Sequence, residues 1–143
     1  MENSISSFQF IMIKTKAVKL GLTEHFFNEF KKAGLSPIWQ KQLQLSKEQV
    51  EYLYRHHNNE DWFNDYVEGM INGNVIISLW KGKNNITETT INIRNRLREE
   101  YKDLTEYYDV HTSDSQEDAI NELRFLIGRE IDEFYYNKNK ERL

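Results

Sequence analysis

The sequence predicts a single α+β domain in which a sheet is layered with helices. Four short segments spread along the chain have the apolar or alternating pattern of strands. The stretches between them repeat their apolar residues at helical spacing. No internal repeat, low-complexity tract or Gly/Pro/Ser-rich linker divides the 143 residues. One domain over 1–143 follows, with a core of about 7–127 and a polar extension over 128–143.

The elements take their places in order. SFQFIMI (7–13) is compact and apolar, a buried strand with Lys14 at its end. In GLTEHFFNEFKKAGL (21–35), Leu22, Phe26, Phe27 and Phe30 share a helix face, with Thr23 as its cap and Gly34 as its stop. IWQKQLQL (38–45) alternates apolar and polar residues, the pattern of a half-exposed strand. Ser46 and Gln49 form a capping-box pair that opens a helix through Tyr54. EDWFNDYVEGMI (60–71) repeats Trp62, Phe63, Tyr66, Val67 and Met70 at helical spacing until Asn72 and Gly73 end it, and NVIISLW (74–80) is the third strand. Residues 84–101 place Ile86, Thr90, Ile93 and Leu97 on one stripe beside a line of arginines, which predicts a helix. YYDVH (107–111) is the fourth strand, and SQEDAINELRFLI (115–127) an amphipathic helix.

Composition narrows the function classes. A net charge of −4 argues against a nucleic-acid duplex as main partner, because phosphate-backbone binding shows as a basic excess. With no cysteine, disulfides and thiolate chemistry are excluded, and a reducing compartment fits. There is no signal-like N-terminus and no apolar run of membrane-spanning length, so a cytoplasmic protein without a membrane partner is expected. His56 and His57 are adjacent and diverge on a helix, and His25 and His111 lack ligand spacing, so no metal-binding residues are assigned. Neither a nucleophile elbow nor a Walker-type glycine loop occurs.

His111 remains as the candidate for chemistry. It follows a strand and precedes TSDS, a helix opening whose free N–H groups suit an anion. Glu122 lies seven residues after Ser115, nearly two helical turns, so its carboxylate points back toward the strand end. A carboxylate holding one imidazole N–H fixes the tautomer and frees the other nitrogen as a nucleophile. Spacing alone favours the plainer alternative of a satisfied histidine and a solvated glutamate.

Several motifs, in order and at consistent separations, change that balance. VHTSDSQEDAINEL resembles the active-site signature N-x-x-H-G-S-D-S of the nucleoside diphosphate kinases. FIMIKTKAVKLGLTEHFFNEFKKAGL resembles that family's opening strand and helix, with Lys14 at the lysine of F-x-x-I-K-P-D and Gly21 at the glycine before the helix. YLYRHHNNEDWFNDYVEGMINGNVIISLWKG follows its middle segment, and the resemblance covers about residues 8–127. It implies a ferredoxin-like βαββαβ sandwich with a four-stranded antiparallel sheet. It also implies a ping-pong transfer of the γ-phosphate from a nucleoside triphosphate to a nucleoside diphosphate, with Mg²⁺ on the phosphates.

Carried over by position, the resemblance makes His111 the nucleophile and Glu122 its orienting partner, with Ser113 holding the glutamate or the phosphoryl group. Lys14 matches the phosphate-binding lysine, Tyr54 the tyrosine lining the phosphate site, Trp62 the aromatic that stacks on the base, and Arg98 the arginine of I-R-G-D-F. Each has an ordinary reading as core or surface. Their joint spacing is what singles them out.

The chain also departs from the family pattern. Lys16 stands at an acidic position and Glu60 at a basic one. Thr90 aligns with a second phosphate arginine, for which Arg94 or Arg96 could substitute. Tyr108 replaces an asparagine that contacts the ribose, Thr112 replaces the glycine after the histidine, and the stretch from Trp80 to His111 is short. The missing stretch corresponds to a loop that covers the nucleotide and joins trimers. A homodimer through strand 2 and the first helix is therefore expected in place of a hexamer. These departures leave an alternative: a catalytically weakened nucleotide-binding or regulatory module of the same fold.

Overall fold

The computed structural model describes residues 7–83, 85–105 and 109–128. Its elements are β1 (Ser7–Ile13), α1 (Thr15–Lys19), α2 (Thr23–Lys32), β2 (Ser36–Gln44), α3 (Lys47–Leu53), α4 (Phe63–Ile71), β3 (Asn74–Gly82), α5 (Ile86–Glu100), β4 (Val110–Thr112) and α6 (Gln116–Ile127), with a 3₁₀ turn over Arg55–His57. The sheet order is β2-β3-β1-β4 and every neighbouring pair is antiparallel. Two split βαβ units interlock, β3 inserted between β1 and β2, and β1 between β3 and β4. This is the ferredoxin-like sandwich.

Alternation along the two central strands sends side chains to opposite layers. Phe10 and Met12 of β1 join Val75, Ile77 and Leu79 of β3 against α3, α4 and α6, packing on Val50, Leu53, Val67, Met70 and Leu123. Ile11 and Ile13 join Trp80 on the other face against α2 and α5, where Phe26, Phe27, Phe30, Ile93 and Leu97 fill the space. Phe27 meets Trp80 edge-on at 5.1 Å between ring centres, a geometry aromatic quadrupoles favour. With helices on both faces, β1 is buried through its polar residue as well as its apolar ones: Gln9 and Ser78 beside it are fully enclosed.

The helix ends follow local chemistry. Ser46 accepts from the Gln49 amide while the Gln49 side chain accepts from the Ser46 amide, completing the capping box. Helix α2 stops at Gly34, whose φ of +94° lets its N–H reach Lys31 O while the Leu35 N–H reaches Phe30 O. Thr23 does not cap that helix. Leu22 holds the cap position without a side-chain bond, and Thr23 is the first helical residue.

Three other expectations shift. Helix α4 begins at Phe63 and not at 60, because residues 60–62 form a turn. A five-residue helix, α1, follows Lys14 directly. The fourth strand runs over Val110–Thr112 in place of 107–111; residues 107 and 108 lie outside the described residues, as does the extension from 129 onward. β4 extends past the histidine because the Val110 and Thr112 carbonyls that face away from β1 are bonded by Arg98 Nε at 3.1 Å and by an Arg94 guanidinium nitrogen at 3.3 Å. Helix α5 thereby satisfies an edge that would otherwise be open.

Candidate active site

The β1–β4 ladder sets Met12 opposite His111, so His111 projects into the layer formed by α3, α4 and α6. One step further, the Lys14 N–H donates to Asp109 O at 2.8 Å. The histidine and the lysine thus stand two ladder positions apart on the same sheet face. Helix α6 leaves the end of β4 and returns along the sheet, which brings Glu122 to His111. Glu122 Oε1 lies 3.2 Å from His111 Nε2 and also accepts the hydroxyl proton of Ser113. Phe10 and Tyr54 close around the imidazole edge-on, at 5.6 and 6.1 Å between ring centres.

Burial lowers the His111 pKa, Lys14 and Arg98 push it the same way, and Glu122 opposes them. Burial works to raise Glu122, but the bonds from His111 and Ser113 prevail and hold it below the ordinary carboxylate value. At neutral pH the pair is a neutral imidazole giving its Nε2–H to a carboxylate. Nδ1 then carries the lone pair.

Lys14 is fully buried. Its ammonium donates to Tyr66 Oη at 2.6 Å and sits 4.2 Å from the centre of the Tyr54 ring. Burial, then the nearby Arg98 charge, depresses its pKa well below that of an ordinary lysine, while Asp109 partly compensates. Burial raises the pKa of both Tyr54 and Tyr66, so each keeps its proton and remains a donor. Tyr66 meets Tyr54 at 5.2 Å and Trp62 at 5.7 Å, both edge-on, and Trp62 in turn packs on His57. An aromatic path therefore runs from the half-exposed Trp62 to the histidine.

The arginines on α5 separate by helical phase. Thr90, Arg94 and Arg98 lie at i, i+4 and i+8, on the side facing β4. Arg98 is nearly buried beside Lys14. Arg94 bonds Thr112 and pairs with Asp114 at 3.6 Å. Arg96 points elsewhere, to Glu29 and Glu100 at 2.9 Å each, so of the two candidates only Arg94 is near the histidine's strand. Thr90 requires a correction as a nucleotide contact: it is fully buried, accepts from Gln9 Nε2 at 2.8 Å and donates to Thr87 O at 2.9 Å. Its hydroxyl is committed to the scaffold.

The N-terminus of α6 lies about 10 Å from Glu122 along the axis, by 1.5 Å per residue, and is capped by Ser115 with Glu117 and Asp118 in its first turn. Thr112 sits unstrained in extended β4; among described non-glycine residues only Asn85 has a positive φ. Tyr108 lies outside the described residues. Lys16 and Glu60 are exposed.

Sequence reasoning missed Tyr66, Gln9 and Asp109. Tyr66 shares a helix face with Trp62, which was a usable signal. Gln9 and Asp109 are polar residues beside apolar strand positions, which marks a buried partner or a site. A cavity of about 530 Å³ lined by Ser7, Asn85, Thr87 and Gln116 contains none of these residues and lies at the other end of β1.

Comparison with known proteins agrees with this geometry. The family model described as nucleoside diphosphate kinase matches residues 8–131. The nucleoside diphosphate kinase of Legionella pneumophila (strain Paris) is 33% identical, covering 80% of this chain and 88% of its own. That of Campylobacter jejuni is 34% identical, covering 88% and 95%. Among solved structures, the apo nucleoside diphosphate kinase of Encephalitozoon cuniculi superposes with a TM-score of 0.70 at 25% identity, covering 85% of this chain and 89% of its own. No helix among the described residues is long and apolar enough to cross a membrane. By its sequence, its fold and the order of its motifs, the chain belongs to the nucleoside diphosphate kinase family.

Proposed function

We propose that this chain is a nucleoside diphosphate kinase that transfers the γ-phosphate of a nucleoside triphosphate to a nucleoside diphosphate through a phosphohistidine at His111. In the first half-reaction the Nδ1 lone pair attacks the γ-phosphorus. The bond from that phosphorus to the β–γ bridging oxygen breaks, and its electron pair leaves with the diphosphate. The phosphorylated imidazole keeps its Nε2 proton, and the cationic ring is stabilised by the Glu122 carboxylate. A second diphosphate then attacks the phosphohistidine in the reverse sense, restoring the neutral imidazole.

The observation that carries this reading is the Ser113–Glu122–His111 chain of hydrogen bonds beside buried Lys14. Lys14, Arg98 and Arg94 supply fixed positive charge for the phosphates, Tyr54 closes the site below the lysine, and Trp62 offers a ring face to the base. Charge already in place at a transferring phosphoryl group provides most of the catalysis in this chemistry. Among the described residues no group of three or more His, Cys, Asp or Glu is arranged to hold a metal. Mg²⁺ would enter with the substrate, on its phosphates, and neutralise charge there.

A weakened, nucleotide-binding role is the second reading, favoured by Thr90, buried where the family places an arginine. A coupled assay of phosphate transfer from ATP to a panel of nucleoside diphosphates separates the two, with His111→Ala as the control. Turnover lost in that variant supports the kinase; binding without turnover in the wild type supports the module. Pairing of a second copy along β2 would make a dimer. β2 is an edge strand bonded only to β3 among the described strands, and sedimentation velocity tests that assembly.

A further inference from the structure

We propose that Gln9 is a positioning residue for the histidine, acting through the main chain of Ser113; the role rests on His111 being the phosphoryl acceptor. Gln9 is the third residue of β1, opposite Trp80 of β3, and is fully buried. Its side chain faces α5, on the sheet face opposite His111. All the bonding capacity of its carboxamide is directed. Nε2 donates to Thr90 Oγ1 at 2.8 Å and to Ser113 O at 3.0 Å. Oε1 accepts from the Phe10 N–H at 2.8 Å and from the Ser113 N–H at 3.2 Å. One side chain thus grips both main-chain polar groups of the residue that orients Glu122, and ties them to β1 and α5.

The chemistry of burial explains why this amide matters. An enclosed carboxamide is destabilising unless its donors and acceptors are satisfied, and an apolar side chain would fill the same volume without that demand. A fully satisfied buried network instead fixes geometry. Ser113 needs such a fixture because it follows the last residue of β4, where ladder pairing stops. The other main-chain bond of its N–H is a long one, 3.3 Å to Phe10 O. From Ser113 the constraint passes by its hydroxyl to Glu122 Oε1 and from there to His111 Nε2. Arg94 pins the preceding carbonyl, that of Thr112, from the α5 side. Thr90, in the place of a family arginine, becomes intelligible as the acceptor that orients the Gln9 amide.

The test compares Gln9→Met, similar in length and apolar, with Thr90→Ser, which keeps the acceptor, and Thr90→Val, which removes it. Nitrogen NMR of His111 without nucleotide reads the Glu122 bond independently of turnover, and rapid-quench kinetics with Mg-ATP read phosphohistidine formation. In folded Gln9→Met the Nε2–H tautomer signature collapses toward an average. The rate of phosphorylation falls on the order of tenfold or more, as misplacement of a reacting group does, while nucleotide affinity changes less than about twofold. Thr90→Val moves both readouts the same way by a smaller amount, and Thr90→Ser retains the wild-type pattern. Folded Gln9→Met with wild-type nitrogen shifts and rate overturns the proposal. If that variant fails to fold, identical behaviour of Thr90→Ser and Thr90→Val overturns it. A wild-type protein that is never phosphorylated defeats the kinase reading alone, and the nitrogen shifts still decide the role of Gln9.

Discussion

His111 and Ser113, two residues apart on the chain, bond the same carboxylate oxygen, Oε1 of Glu122. This shared acceptor sets the tautomer of the imidazole, while burial keeps the ring neutral against it. It predicts that Glu122→Gln lowers kcat by roughly 10² or more. The pH profile adds a sign. His111 titrates below the ordinary histidine value of about 6.5, so activity persists to mildly acid pH and falls only as the imidazole protonates. Glu122 is the influence that raises the His111 pKa. Removing it moves the acid limb of kcat/KM, which reports the free enzyme, further down in pH, and a pH–rate series on the variant measures this.

Lys14 predicts the alkaline side. Its pKa is depressed by burial and by Arg98, so the ammonium loses its proton below the ordinary lysine value of about 10.4. Affinity for nucleoside triphosphate should weaken as pH rises through that lowered value. Calorimetric titration across the alkaline range measures this. Binding flat to pH 10 would contradict the assignment of Lys14 as a phosphate ligand.

Arg94 and Arg96, two residues apart and on opposite faces of α5, are expected to behave differently. Arg94→Ala removes a cation beside β4 and should raise KM about tenfold, the scale of one charge-assisted hydrogen bond. Arg96→Ala leaves KM unchanged. Its pairs with Glu29 and Glu100 are solvent-exposed, and such pairs contribute little to stability. Steady-state kinetics on both variants decide which arginine serves the site.

Gly73 connects the fold to Lys14. A Cβ there would come within 2.3 Å of Thr15 Cγ2, at the first residue of α1 and next to the lysine. Gly73→Ala should therefore destabilise the protein by about 1–3 kcal/mol, the range for overpacking, and also raise KM. Chemical denaturation reads the first effect and kinetics the second.

Much of this was legible in the sequence because the signals were periodic. The alternation of β2, the Ser46–Gln49 box and the Ile86–Thr90–Ile93–Leu97 stripe all correspond to elements in the structure. Helical spacing also sufficed to aim Glu122 at His111. Helix α1 was not legible, since five residues give no period and Lys16 and Lys19 flank its buried positions. Strand β1 is covered on both faces, so alternation said nothing about where Gln9 points. The split between Arg94 and Arg96 was present in the spacing: Arg94 falls four residues from both Thr90 and Arg98, whereas Arg96 is about 200° around the helix from Arg94. The end of β4 depended on arginines from α5, a tertiary effect that local pattern does not encode.

Incubation of the pure protein with γ-labelled ATP and Mg²⁺, with His111→Ala beside it, decides whether His111 carries the phosphoryl group. The expected result is a covalent label that is acid-labile and alkali-stable, absent from the variant, and discharged by added nucleoside diphosphate. A folded, nucleotide-binding wild-type protein that takes up no label, or takes it up equally without His111, would contradict it.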